Sequence, residues 1–108
     1  MILIASYIAG RKIPVDFDAI NRAALTHLPS LCRQWLPNGK RLRHEWIALN
    51  PRRADRSPGS FSVNLQTGKW GDFAVGDTGG DVVSLAAYLF NTTQVDAART
   101  LAVSLGVQ

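Results

Sequence analysis

The sequence predicts an α+β domain: an N-terminal helix or kinked helix pair, a three-stranded antiparallel meander, and two C-terminal helices. Three observations predict it. Apolar residues recur at helical spacing near both ends of the chain, they alternate with polar residues in its middle, and capping and turn residues stand where one pattern gives way to the other. With 108 residues, 46% apolar and 19% charged, the chain is sized for one domain and carries enough apolar surface to fold.

Residues 1–14 are expected to form a tail or an added edge strand, and residues 15–108 the domain. The opening MILIASYIAGRK places its basic residues after a short apolar stretch, the reverse of a signal peptide. No apolar run reaches the roughly 18–20 residues needed to cross a membrane. VDFDAINRAALTHLPSLCRQWLPNG (15–39) reads as helical, with Asp16 as N-cap and Phe17, Ile20, Ala24 and Leu28 on one face. Pro29 lacks an amide proton, so it either kinks this segment or opens a second short helix as its first residue. PNG (37–39) ends it.

RLRHEWIAL (41–49) reads as a strand, with Leu42, His44, Trp46 and Ala48 alternating with Arg43, Glu45, Ile47 and Leu49. NPRRADRSPGS (50–60) is a long loop. SFSVNLQTGKWGDF (60–73) reads as a hairpin that places Phe61, Val63 and Leu65 on one face and turns at Gln66–Lys69. A glycine-rich stretch carrying Asp72, Asp77 and Asp81 then leads into VVSLAAYLF, which Asp81 is placed to cap and which is apolar nearly all round. TQVD (93–96) is a capping-box pattern, and the stripe Val95, Ala98, Leu101, Ala102 and Leu105 ends at Gly106.

Charge is unevenly spread. The net charge is +4, yet eight of the twelve basic residues lie between Arg33 and Lys69, against Glu45 and Asp55 alone. Such a patch suits a polyanion, nucleic acid first; its plain structural reading is a solvated basic face. The candidate contacts are Arg52, Arg53 and Arg56 in the loop, Lys40, Arg41 and Arg43 on the neighbouring strand, and Lys69 in the hairpin. The guanidinium fork suits phosphate oxygens. Trp46, Phe61, Trp70 and Phe73 interleave with these cations. Trp46 and Phe61 are expected in the core, whereas Trp70 either fills the core or stacks on an unpaired base.

Other chemistries find little support. A single cysteine, Cys32, excludes an intrachain disulfide and a multi-thiolate zinc site, and fits a reducing cytosol. It lies on an apolar helical face, where a buried, inert thiol is expected. The three aspartates match no calcium loop, and two of them beside GDTGG would repel a phosphate. His27 and His44 have no recognisable nucleophile motif near them, and there is neither a Walker loop nor a polymerase-type acidic cluster. No catalytic residue, cofactor or metal is expected.

From NPRRADRSPGSFSV through GGDVVSL to VDAARTLA the sequence resembles the zinc-binding (CHC2-type) N-terminal domain of bacterial and phage DNA primases. That family reads Cys-Pro-x-His, a Thr-Pro-Ser-Phe-x-Val strand, a hairpin leading to Cys-x-x-Cys, and a Gly-Asp helix start. Here Asn50 and Arg53 stand where the first Cys and the His belong, and no cysteine stands near Asp72 and Gly76. With the lead-in from Val15, the chain more closely resembles the metal-free, zinc-ribbon-like regions ahead of primase–helicase-like proteins of plasmids, phages and integrated elements. Loss of a structural zinc removes on the order of 10 kcal/mol in small fingers. The lead-in helices and Trp35, Trp46, Trp70 and Phe73 are candidates to replace it.

The resemblance implies a noncatalytic, cytoplasmic nucleic-acid-binding module of a mobile-element replication system. Its expected partners are DNA, single-stranded favoured, and primase or helicase catalytic domains on another chain. The alternative is a protein-interaction adaptor that docks on a primase or helicase without touching DNA.

Overall fold

A computed structural model describes residues 7–8, 11–12, 14–53 and 60–107. Tyr7–Ile8 (β1) and Arg11–Lys12 (β2) pair antiparallel with each other, outside the main sheet. The Asp16 carboxylate accepts the Ala19 N–H at 3.0 Å and starts α1 (Phe17–Thr26). His27 separates it from α2 (Leu28–Trp35), in which Pro29 is the second residue and costs no intrahelical bond. The segment is therefore a helix pair, begun by Leu28 one residue ahead of the proline.

The main sheet has five strands, not three: β3 (Lys40–Leu42), β4 (Glu45–Ala48), β5 (Phe61–Asn64), β6 (Trp70–Asp72) and β7 (Asp77–Gly79), each antiparallel to the next. Two reversals account for the difference. Arg43 takes a left-handed backbone (φ 57°), and the Arg41 Nε–H donates to its carbonyl at 3.0 Å, so the expected 41–49 strand folds into a hairpin. Leu42 is thereby carried to the outer face, where it is 60% exposed. Gly76 (φ 80°) reverses the glycine-rich stretch, and the residues beyond it add a strand instead of only a turn. The β5–β6 connection falls where expected, with the Asn64 side chain accepting the N–H groups of Gln66 and Thr67.

Register decides which side chains meet. Trp46, Val63, Trp70 and Gly79 form one cross-strand row, and Ala48, Phe61, Asp72 and Asp77 the next on the same face. That face receives α3 (Val82–Phe90), with Tyr88 ring-on-ring against Trp70 and Phe61 at centroid distances of 4.5 and 6.1 Å. α4 (Gln94–Leu105) packs on α3, and α1 packs on both. The shared core includes Leu28, Cys32, Phe61, Val63 and Leu85. Burial pushes the Cys32 thiol up to about 12, against a small opposing effect of Arg33, which fits the inert thiol expected there.

Asp81 caps α3 through a reciprocal pair: its carboxylate accepts the Ser84 N–H at 2.8 Å while its own N–H donates to Ser84 Oγ at 3.3 Å. Asn21 of α1 accepts the Val83 N–H, so a second orphan donor of α3 is satisfied by another helix. Thr93 accepts the Asp96 N–H and starts α4, and Gly106 ends it with a left-handed backbone.

Both buried tryptophans lie over a glycine. The Trp46 indole donates to the Leu36 carbonyl above Gly39, and the Trp70 indole donates to Ser84 Oγ above Gly79. A Cβ at residue 79 would overlap the Trp70 ring and Ser84 Oγ, whereas one at Gly80 would meet nothing. Gly79→Ala should therefore cost about 1–3 kcal/mol by overpacking. In thermal melts this is a loss of roughly 5 °C or more, with Gly80→Ala within a degree or two of the parent. Equal melting of the two variants would refute this packing account.

Candidate nucleic-acid interface

A buried carboxylate organises one end of the sheet. Asp72 closes β6 with its side chain out of contact with water, so it requires donors and a countercharge. Arg53 Nε–H reaches Asp72 Oδ2 at 2.9 Å, the Asn50 amide donates to the same oxygen at 2.8 Å, and the Ala74 N–H donates to Oδ1 at 2.9 Å. The second Asn50 amide hydrogen goes to the Tyr88 hydroxyl, which donates onward to Asp77 Oδ2 at 2.8 Å. Asn50 Oδ1 accepts the Arg52 N–H, and Arg53 also reaches Ser60 Oγ. The β4–β5 loop, the β6–β7 hairpin and α3 thus meet in one network.

Burial by itself raises the Asp72 carboxyl. The hydrogen bonds from Asn50, the Ala74 N–H and Arg53, with the charge of Arg53, outweigh it and hold the group at about 2. Burial is likewise the main cause raising the Tyr88 hydroxyl; the Asn50 bond opposes it, and the nearby Asp77 and Asp72 charges reinforce it.

The basic segment does not form one surface. Arg43 in the β3–β4 turn and Lys69 in the β5–β6 turn share one end of the sheet, where the Leu65 N–H donates to the His44 carbonyl at 2.7 Å. Lys40 and Arg41 lie exposed on the adjoining edge strand. Arg52 lies beyond the other end of β4, about 10 Å or more away by strand length. Lys40, Arg41, Arg43, Arg52 and Lys69 are all exposed, and none forms an ion pair with a described residue.

Two of the expected contacts turn inward. Trp70 is 7% exposed, with its ring under Tyr88 and its N–H on Ser84, and presents no open face to a base. The Arg53 charge is committed to Asp72. Arg56 lies outside the described residues.

Among the described residues the most exposed aromatic is Phe73, 82% accessible on the β6–β7 turn, which also carries Val75 at 50%. Strand alternation carries the signal for it, since Trp70 and Asp72 point inward and Phe73 comes next. The Asn50–Asp72–Tyr88 network carried a weaker signal, a tyrosine inside an apolar helix whose hydroxyl needs a partner.

No protein-family model and no curated protein matches this sequence. Among solved structures, the fold is similar to the crystal structure of the Aquifex aeolicus primase (zinc binding and RNA polymerase domains). The TM-score is 0.68 at 22% identity, over 87% of this chain and 22% of that one. The likeness establishes a primase-like α+β fold, and the chain spans about a fifth of that protein.

The positions that the sequence resemblance assigns to metal ligands do not fit zinc. They hold an amide (Asn50), a guanidinium (Arg53), one carboxylate (Asp72) and a glycine (Gly76), with no thiolate or imidazole. Among the described residues no group of three or more His, Cys, Asp or Glu side chains converges on a metal-sized site. The lone carboxylate is already paired with a cation.

The folded Asp72 carboxyl sits below its ordinary value of 3.8, so the ionised form stabilises the fold. That contribution, about 2 kcal/mol, is complete above pH 4 and is lost as pH falls through 2. Urea titrations should therefore show wild type well above Asp72→Asn at pH 5, with the gap closing by about that amount near pH 2. A gap that does not change with pH would rule the ion pair out as the cause.

Proposed function

We propose that the chain is a noncatalytic nucleic-acid-binding module of a primase-type replication system of a mobile element, holding single-stranded or template DNA for a catalytic domain on another chain. One observation carries the reading: on a fold shared with a primase domain, four cations, Lys40, Arg41, Arg43 and Lys69, lie exposed along one edge and turn end with no ion-pair partner among the described residues. Unneutralised cations at such spacing exchange condensed counterions for phosphates, which binds DNA with little sequence preference. The outer sheet face beside them bears Ser62, Gly71 and Thr78, small enough to let a strand approach.

In this reading the module works in the cytoplasm without metal, and the Asn50–Arg53–Asp72 network holds the loop and hairpin that a zinc would otherwise join. Among the described residues no helix is long and apolar enough to cross a membrane.

The alternative, an adaptor docking on a primase or helicase, is favoured by an apolar groove of about 240 Å³ between α2, α3 and α4. Trp35 and the exposed Phe90 meet edge to face on its wall.

Fluorescence anisotropy with labelled single-stranded and duplex oligonucleotides separates the two. A module gripping about four phosphates of a single strand should lose affinity with a log–log salt slope near −3, and Lys40→Ala/Arg43→Ala/Lys69→Ala should flatten that slope by about 2. Chelator should change neither binding nor melting temperature. No binding to either oligonucleotide at low salt would refute the module and leave the adaptor.

A further inference from the structure

We infer that a second copy of this chain docks on the edge of the sheet, β7 of one copy against β3 of the next, so that copies assemble head to tail through unlike charges. The inference does not depend on whether the chain binds nucleic acid.

The sheet ends on both sides in an open strand. β3 and β7 each pair with one neighbour, and among the described residues neither meets a further strand. All three residues of β3 are exposed, as are Asp77 and Thr78 of β7, so both edges face solvent.

The two edges differ in charge. β3 carries Lys40 and Arg41, which form no ion pair with a described residue, whereas β7 carries Asp77 and no cation. Short, charged edges ordinarily keep sheets apart. Here that repulsion acts between like edges only. β3 on β3 would set Lys40 and Arg41 against themselves, and β7 on β7 would oppose two Asp77 carboxylates. β3 on β7 replaces repulsion with attraction.

Strand direction and register favour the same joint. Each strand is antiparallel to the next, so β3 and β7 run the same way. A copy set alongside in the same orientation therefore pairs its β3 in parallel with β7 and keeps its helices on the same face. Arg41 belongs to the cross-strand row of Trp46, Val63, Trp70 and Gly79, on the face that also carries Asp77. Across the joint Arg41 becomes a diagonal neighbour of Asp77, within reach of a long side chain. Lys40 begins the outer-face row that ends at Thr78, whose hydroxyl is an acceptor for it.

Such a joint is heterologous and does not close. Adjacent strands turn by roughly 20–25° and step by about 4.8 Å. Across the five strands each copy therefore rotates by roughly 100–125° and advances by about 24 Å along the same axis, which gives a helical filament. With three residues in each edge strand the joint is weak, and it is strongest at high protein concentration and low salt.

Sedimentation equilibrium of the full chain tests this, with Arg41→Glu, Asp77→Lys and their equimolar mixture. At low salt the wild type should show a weight-average mass that climbs past twice the 11.8 kDa monomer as the protein approaches millimolar concentration, and that falls back at high salt. Each variant alone should stay monomeric, because it opposes like charges at every joint. Their mixture should recover the association, because every β3 then finds a β7 of opposite sign. Melting temperatures matching wild type will show that the variants fold. Asp77 also accepts from the Tyr88 hydroxyl, so Thr78→Lys, which sets a cation against Lys40 and leaves that bond in place, serves as a second β7 variant and should abolish association as well. A wild type that stays monomeric or stops at a dimer would overturn the inference. So would association that survives Arg41→Glu and Thr78→Lys, or a mixture that stays monomeric.

Discussion

A carboxylate removed from water must find a cation or give up its charge, and Asp72 is placed where only the rest of the fold can supply one. Its partners come from the loop after β4, its backbone begins the β6–β7 hairpin, and through Asn50 it reaches Tyr88 on α3. Three segments distant in sequence are thereby brought to one point at the end of the sheet. Truncating any one of them strands polar groups belonging to the others, so the network behaves as a set and not as a sum of pairs.

The fold also rearranges the charge written in the chain. Side chains that are neighbours in sequence, Arg43 and Arg52 for instance, are sent to opposite ends of β4, while Arg43 and Lys69, far apart in sequence, are brought to adjacent turns. Arg53 pairs inward with the buried Asp72. Among the described residues the exposed cations of this segment are therefore divided, with Lys40, Arg41, Arg43 and Lys69 along one edge and turn end and Arg52 beyond the other end of β4.

Much of this architecture was legible in the sequence because its signals are local. Asp16, Asp81 and Thr93 are capping residues ahead of apolar periods, Pro29 marks the start of a short helix, and Phe61 and Val63 alternate with polar residues. Each acts within a few positions of itself. The five-stranded sheet was less legible: its first extra reversal uses an arginine at positive φ, where turns ordinarily advertise glycine or asparagine. The second hid in a stretch whose glycines read equally well as loop. The site was least legible of all, since burial of Trp70 against Tyr88 and pairing of Arg53 with Asp72 depend on contacts between elements that no spacing encodes.

The glycines beneath the two tryptophans carry an evolutionary consequence. Gly39 with Trp46, and Gly79 with Trp70, each share a single allotment of volume. A lineage that enlarges either glycine must shrink the facing indole in the same step or pass through a destabilised intermediate. For the second pair Ser84 is drawn in as well, because a smaller residue at 70 would leave its hydroxyl without the indole donor. Those positions are bound to drift as linked groups, each glycine changing only in the company of its tryptophan.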